Sequence, residues 1–269
     1  MTRVRPAAVS GSFYPGERAA LTRTVDSLLA DAKVPAHSDT FPKAIIVPHA
    51  GYVYSGAVAA SAYALLREQG TEIRRVVLLG PTHRVPIAGM AVPDADSFAT
   101  PLGNIVVDQT AIASIANLPQ VVVSAAVHAR EHSLEVQLPF LQRVLDDFRL
   151  VPIAVGDASP AEVAQVLDIL WGGNETLIVI SSDLSHYLPY ETARKVDSAT
   201  IDAILALSEN PIGHDQACGG TPVSGLILAA RRRRLRPKLL DLRNSGDTAG
   251  GRDQVVGYAA LSFSEVHHA

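Results

Sequence analysis

The chain is poor in cysteine and has no apolar stretch long enough to cross a membrane. Cys218 is the only cysteine among 269 residues, so no intramolecular disulfide can stabilise the fold. No run of about eighteen apolar residues occurs, and the charged amino terminus has no apolar segment behind it. These absences predict a cytoplasmic protein without a membrane span.

An excess of positive charge is also missing. The chain has 23 lysine and arginine residues against 27 acidic ones, which gives a net charge of −4 and a pI near 6.1. The only basic run, residues 231–234, falls where a helix is expected to end and there complements the helix dipole. The charge pattern therefore predicts no nucleic-acid partner.

Two motifs that identify common enzyme classes are absent. The chain has neither the G-x-S-x-G nucleophile elbow of α/β-hydrolases nor the G-x-x-x-x-G-K-[ST] loop that binds nucleotide phosphates. The usual grounds for assigning a serine hydrolase or a nucleotide-binding enzyme are therefore lacking.

Four apolar segments dominate what is present, at residues 44–47, 75–80, 149–155 and 176–180. They do not alternate with polar residues, which is typical of strands buried on both faces, and helical patterns lie between them. A hydrophobic content of 48% can sustain one large core. The sequence predicts a single α/β domain over residues 1–269, with ligands bound where the carboxyl ends of its strands meet.

Imidazoles and a thiol fall close to that predicted edge. His49 and His83 each follow a buried strand, and neighbouring strands would bring the two residues within a few ångströms of each other at one edge. Cys218 lies just ahead of a helix whose predicted N-cap is Thr221. Imidazole is the commonest metal ligand, and a helix amino terminus favours a thiolate. These residues form a candidate metal site. The alternative is two hydrogen-bonded loop histidines and a cysteine packed in the core.

Two further segments carry candidate catalytic groups. Residues 181–186 end a strand with Asp183 and His186, which could pair as a proton shuttle, or else a helix cap followed by a surface histidine. His128, Glu131 and His132 match H-x-x-E-H, the inverted zinc-peptidase pattern, which requires a helix that begins before His128. Otherwise Glu131 and His132 are expected to support the site or contact the substrate.

Taken together, several short motifs resemble the Memo family, whose bacterial and archaeal members are called AmmeMemoRadiSam system protein B. The matching segments are GSFYP at 11–15, PHAGYVYSG at 48–56, GPTH at 80–83, TPLG at 100–103, EHSLE at 131–135, SSDLSH at 181–186, CG at 218–219 and VGYAA at 256–260. This resemblance implies a fold similar to that of class III extradiol dioxygenases, a three-layer α/β/α sandwich around a mostly parallel or mixed sheet.

The same resemblance implies site residues and a cofactor. The dioxygenases hold Fe(II) through two histidines and a carboxylate. Memo-type chains carry cysteine in the carboxylate's place, so the implied ligands are His49, His83 and Cys218. His186 matches the acid/base histidine, with Asp183 and His132 in the same pocket. The resemblance implies Fe(II), while a thiolate also suits Cu or Zn.

The resemblance leaves two classes of function open. One is an iron-dependent oxidoreductase of the extradiol type that acts on a small-molecule or peptide ligand. The other is a peptide-binding adaptor that uses the same pocket without turnover, with Tyr52, Tyr54 and Tyr187 as binding groups.

Overall fold

The computed structural model describes residues 2–33 and 41–265. Its strands are β1 (Val4–Arg5), β2 (Pro42–Val47), β3 (Arg75–Pro81), β4 (Met90–Val92), β5 (Ser97–Thr100), β6 (Gly103–Val106), β7 (Val121–Val123), β8 (Arg149–Val155), β9 (Thr176–Ser181), β10 (His186–Leu188), β11 (Arg236–Asn244) and β12 (Val255–Ser264). Its α-helices are α1 (Arg18–Asp31), α2 (Tyr52–Tyr63), α3 (Gln109–Ile115), α4 (Ala125–Ala129), α5 (Leu138–Val144), α6 (Pro160–Leu170), α7 (Tyr190–Leu205) and α8 (Gly220–Arg232).

Nine strands form one mixed sheet, in the order β10-β12-β2-β9-β3-β8-β4-β7 with β11 paired to β12. The four apolar segments are its parallel centre: β2, β9, β3 and β8 run in the same direction and are buried on both faces. β12 is antiparallel to β2, and β4 is antiparallel to β8. The prediction of a mostly parallel or mixed sheet is confirmed.

Helices cover both faces of this sheet. The connection from β2 to β3 carries α2, and the connection from β8 back to β9 carries α6, so the two crossovers run in opposite directions across the sheet. Because parallel crossovers are right-handed, these helices lie on opposite faces. α1 and α5 pack with α2, whereas α3 and α8 pack with α6. The result is the expected α/β/α sandwich.

The strand order corrects one expectation about the site. His49 and His83 were expected at the ends of neighbouring strands, but β9 lies between β2 and β3. β9 is parallel to both, with Ile180 level with Ile46 and with Leu79, so all three strands deliver their loops to the same edge. β9 therefore places the segment after Ser181 between the two histidine loops.

Two helix boundaries differ from the sequence expectations. The helix near Cys218 begins at Gly220 with Gly219 as its N-cap, two residues before the predicted Thr221 cap. A proline inside a helical pattern is expected to kink or interrupt the helix, but Pro139 lies in the first turn of α5, where proline is tolerated. Among the helices of the described segments, none combines the length and apolar composition that crossing a membrane requires.

Candidate functional site

Three histidines converge at the carboxyl edge of the sheet. His49, His83 and His132 each place one ring nitrogen within 4.8 Å of those of the other two. The ring centroids are 5.2 Å apart for His49 and His83, 5.5 Å for His49 and His132, and 4.6 Å for His83 and His132. The sequence placed His49 and His83 here, and assigned His132 to the surrounding pocket rather than to the cluster itself.

His49 is almost completely buried, with 1% of its surface exposed. Its backbone N–H donates to Asp183 Oδ1 at 2.7 Å, and its Nδ1 lies 2.9 Å from the Ser181 hydroxyl. Burial, followed by the charges of His83 and His132, lowers the pKa of His49 well below its usual value. The ring is therefore neutral at physiological pH, as a metal ligand must be.

Glu131 fixes the orientation of His83. Its Oε1 accepts from His83 Nδ1 at 3.0 Å, and its Oε2 accepts from the His83 backbone N–H at 2.6 Å. The backbone N–H groups of His132 and Ser133 also donate to Oε1. Burial opposes the charge of Glu131, but these hydrogen bonds outweigh it and lower the pKa to about 2. An ionised carboxylate thus holds the Nδ1–H of His83 and leaves Nε2 free.

His132 lies between this carboxylate and an aromatic ring. Phe13 packs against it with the ring centroids 4.8 Å apart. His132 Nδ1 lies 3.3 Å from Glu131 Oε1 but forms no hydrogen bond and is buried without a partner. Burial lowers the pKa of His132 to about 4 despite the nearby Glu131. His132 is therefore a neutral imidazole that the protein leaves partly unsatisfied.

Cys218 joins the cluster through His49, with its Sγ 3.3 Å from His49 Nε2. The sequence predicted a thiolate favoured by the helix terminus. Instead, burial and the nearby Asp183 raise the pKa of Cys218 to about 12. The residue after Cys218 must be glycine, because a Cβ at position 219 would lie 2.7 Å from Ser182 Cβ. Cys218 is thus a half-buried thiol that contacts both His49 Nε2 and, at 3.6 Å, the Asp183 carbonyl oxygen.

Asp183 and His186 do not form the predicted pair. The Asp183 carboxylate accepts from the His49 backbone, and burial raises its pKa to about 7. His186 Nδ1 donates to the Leu184 carbonyl at 2.8 Å. Burial lowers the pKa of His186, and its Nε2 is left available. Asp183 therefore positions the His49 loop, and the orientation of His186 is set by the backbone.

The zinc-peptidase pattern lacks the helix it requires. α4 ends at Ala129, so His128 and His132 do not lie one turn apart on a helix. His128 is 1% exposed, donates from Nε2 to the Ala91 carbonyl at 2.9 Å and packs edge-on against Phe98. His128 is therefore a core residue.

A cleft of about 530 Å³ opens beside the cluster. His83 and Cys218 lie in its wall together with Arg84, Asp157 and His214. Thus a ligand in the cleft can reach the imidazole of His83 and the thiol of Cys218 from solvent.

Comparison with known sequences assigns the family. The model of the family described as "Memo-like protein" matches residues 5–262. The chain belongs to the Memo family. Relatives named "MEMO1 family protein" include those of Archaeoglobus fulgidus and Aquifex aeolicus, each 37% identical over 97% of this chain and 99% of its own length. That of Ignicoccus hospitalis is 36% identical over 97% of this chain and 98% of its own.

One solved structure, that of an uncharacterized protein from Escherichia coli K12, matches more distantly. It covers 80% of this Memo-family chain and 98% of its own, with 13% identity and a TM-score of 0.49.

Several residues that support the site in this Memo-family chain were not identified from the sequence. Ser181 lies in the segment 181–186 but was assigned no role, and no role was predicted for Gln137. Both are completely buried, and both contact the His49 loop. The available signal for Gln137 was a polar residue next to Leu138 on the apolar face of a predicted helix.

Proposed function

We propose that this Memo-family chain is a metalloprotein that holds Fe(II) through His49, His83 and Cys218. We further propose that it is an oxidoreductase of the extradiol dioxygenase type. One observation carries the proposal: Nδ1 of both histidines is committed to a hydrogen bond, which leaves Nε2 as the ligand atom of each ring, and the two rings lie in one cluster. Cys218 Sγ, 3.3 Å from the nearer Nε2, supplies the third donor.

The donor set fits a late transition metal. With bonds of about 2.0 Å to nitrogen and 2.3 Å to sulfur, tetrahedral ligand atoms lie about 3.5 Å apart, which is close to the distance from Cys218 Sγ to His49 Nε2. The Glu131 and Asp183 carboxylates are taken up by backbone and ring N–H groups, so the site offers nitrogen and sulfur. A cation also supplies the field that deprotonates a buried thiol. Cu and Zn suit this set as well as iron.

The chain's own residues can move protons beside such a centre. His186 is neutral, its Nδ1–H is held by a carbonyl, and its Nε2 can accept a proton from a bound ligand. His132, wedged between Glu131 and Phe13, offers a second neutral imidazole next to His83. A bound Fe(II) would supply Lewis acidity and the one-electron chemistry that dioxygen requires. The cleft would admit a small molecule or the side chain of a peptide.

An aromatic surface supports the alternative of a peptide-binding adaptor. Tyr187 is 68% exposed and has a φ of 58°, a left-handed conformation that bulky residues rarely adopt. Tyr54 is 39% exposed, and Val53 beside it is 68% exposed. Val53 and Tyr54 line a second cleft, of about 660 Å³, that shares no lining residue with the one beside His83 and Cys218. Exposed aromatic and aliphatic groups around a cleft are typical of a recognition surface.

Metal analysis separates these proposals. Wild-type protein purified without chelator should contain a bound transition metal. The His49→Ala and His83→Ala variants should each contain at least about tenfold less of that metal. His214→Ala removes an exposed imidazole from the same cleft and serves as the matched control. Metal content unchanged in both ligand variants would contradict a metal site. Peptide binding by metal-free protein, independent of Cys218, would favour the adaptor.

A further inference from the structure

Ser181, the last residue of β9, makes three hydrogen bonds at the centre of the site although none of its surface is exposed. Its hydroxyl oxygen lies 2.9 Å from His49 Nδ1, 2.8 Å from Gln137 Nε2 and 2.6 Å from the Ser133 carbonyl oxygen. A hydroxyl has one hydrogen to donate and two lone pairs that accept. Three partners therefore use its full hydrogen-bonding capacity.

The position of the hydroxyl hydrogen follows from the Ser133 carbonyl. A carbonyl oxygen can only accept, so a contact of 2.6 Å between two oxygens requires the hydrogen of Ser181 to lie between them. The Ser133 carbonyl is itself held in place, because its residue donates from Oγ to the Pro81 carbonyl and from its backbone N–H to Glu131. Ser181 thus has no hydrogen left for His49.

The orientation of the Gln137 amide is determined in the same way. Its Nε2 lies 2.9 Å from the Pro48 carbonyl, which can only accept, so the nitrogen and not the oxygen faces Pro48. Tyr63, fully buried, then donates its hydroxyl to Gln137 Oε1 at 2.9 Å. The second hydrogen of the amide is directed to Ser181 and occupies one of its two lone pairs.

One lone pair of Ser181 remains, and it faces His49 Nδ1. We propose that Ser181 is a positioning residue that fixes His49 as the Nδ1–H tautomer. Without an acceptor at Nδ1, either nitrogen of a neutral imidazole can carry the proton. With Ser181 in place, Nδ1 must donate, and the bare Nε2 faces Cys218 Sγ. The tautomer concerns the free protein; its consequence for metal affinity rests on the proposed function.

The two histidine rings are also held by hydrogen bonds of different strength. His83 donates from Nδ1 to an ionised carboxylate, whereas His49 donates to a neutral hydroxyl. Hydrogen bonds to charged partners are roughly twice as strong as neutral ones, and a carboxylate partner raises the basicity of an imidazole ligand. Hence Ser181 determines which nitrogen of His49 carries the lone pair. Glu131 does the same for His83 and in addition raises the basicity of its Nε2.

Nitrogen NMR of the imidazoles tests this inference on metal-free protein labelled with ¹⁵N-histidine, at a pH near 8. The wild type should show a protonated Nδ1 and a bare Nε2 for His49, assigned by the loss of its signals in His49→Ala. Ser181→Ala should move His49 to a mixture of tautomers or to the Nε2–H form. It should also weaken binding of added Zn²⁺ about 10- to 100-fold. Ser97→Ala, which removes a buried hydroxyl without a partner, should change neither.

Each outcome bears on a different claim. A wild-type spectrum with a protonated Nε2 on His49 would overturn the inference without the Ser181→Ala variant, so it remains testable even if Ser181→Ala does not fold. A His49 that keeps a pure Nδ1–H tautomer in folded Ser181→Ala would overturn it as well. A tautomer change without measurable Zn²⁺ binding by the wild type would support the role of Ser181 and count against the metal site.

Discussion

At the scale of single residues, the site is defined by which protons are fixed before any ligand arrives. His49, His132 and His186 have pKa values lowered first of all by burial, so these three rings are neutral at physiological pH. The negative charge of Glu131 stabilises the arrangement, since four hydrogen bonds, from the His83 ring and from the backbone N–H groups of His83, His132 and Ser133, end on that single carboxylate. Its amide isostere is therefore the most informative single substitution.

Glu131→Gln should disorganise the site without changing side-chain volume. Its Oε1 accepts from His83 Nδ1 and from the His132 and Ser133 N–H groups, and an amide nitrogen at either position would face donors. We expect metal affinity to fall about 10- to 100-fold. Isothermal titration with Zn²⁺ measures this, and Glu209→Gln, on a side chain 80% exposed, is the matched control. Equal affinity in both variants would refute the positioning role of Glu131.

The sequence could predict residue types at strand ends but not how they are oriented. His49 and His83 were placed at the sheet edge because buried apolar runs end directly before them. The prediction that Asp183 pairs with His186 was wrong, because nearness in sequence does not determine which donor binds a carboxylate. The roles of Ser181 and Gln137 depend on residues more than forty positions away, which no local pattern contains.

At the scale of elements, a buried ion pair ties the amino-terminal segment to the site. Glu135 is completely buried and pairs with Arg5, and it accepts from the Ala8 and Val9 backbone and from the Tyr14 hydroxyl. Arg5 in turn donates to the carbonyls of His128 and Glu131. These contacts hold residues 5–14 against residues 128–135 and so place Phe13 on His132.

Breaking this pair should cost more than removing it. Glu135→Gln is expected to lower the free energy of unfolding by about 3–5 kcal/mol, because Arg5 is left as an uncompensated buried charge. The double variant Arg5→Met with Glu135→Leu should lose less unfolding free energy than the sum of the losses in Arg5→Met alone and Glu135→Leu alone. Urea denaturation measures both.

Asp26→Asn breaks an exposed pair with Arg143 and should cost at most about 1 kcal/mol, which makes it the control. Exchange of the Ala8 and Val9 amide hydrogens should accelerate in Glu135→Gln. A loss below about 1 kcal/mol would show that the segment is held by packing rather than by this carboxylate.

Element boundaries show where sequence patterns succeed and fail. The Ser159 capping box, with Pro160 at the first helical position, follows the S-x-x-E pattern of residues 159–162, because such a cap is a local interaction. The order β2-β9-β3 was not predictable, because strand neighbours are decided by the crossovers and not by the strands. The H-x-x-E-H pattern suggested a helix through residue 132, whereas Arg5 binds the carbonyls that a continuing helix would have used.

At the scale of the whole molecule, buried neutral histidines make stability depend on pH. His128 is enclosed in the core, and burial is the main cause that lowers its pKa to about 4, from a usual value near 6.5. Between about pH 6.5 and pH 4 this residue binds a proton in the unfolded chain but remains neutral in the folded chain. The contribution of His128 to stability is therefore fully present above about pH 6.5 and declines as the pH falls from there toward 4.

Replacing His128 should remove its share of that acid sensitivity. His128→Gln lacks the titrating group and keeps an amide that can donate to the Ala91 carbonyl. Between pH 7 and pH 4 the wild type should lose on the order of 3 kcal/mol more unfolding free energy than the variant. His49, His132 and His186 remain in both proteins, so the difference isolates His128. Urea denaturation of metal-free protein across this range measures it, with exposed His214→Gln as control. Parallel pH profiles for wild type and His128→Gln, or a loss of bound metal in the variant, would contradict the assignment of His128 to the core.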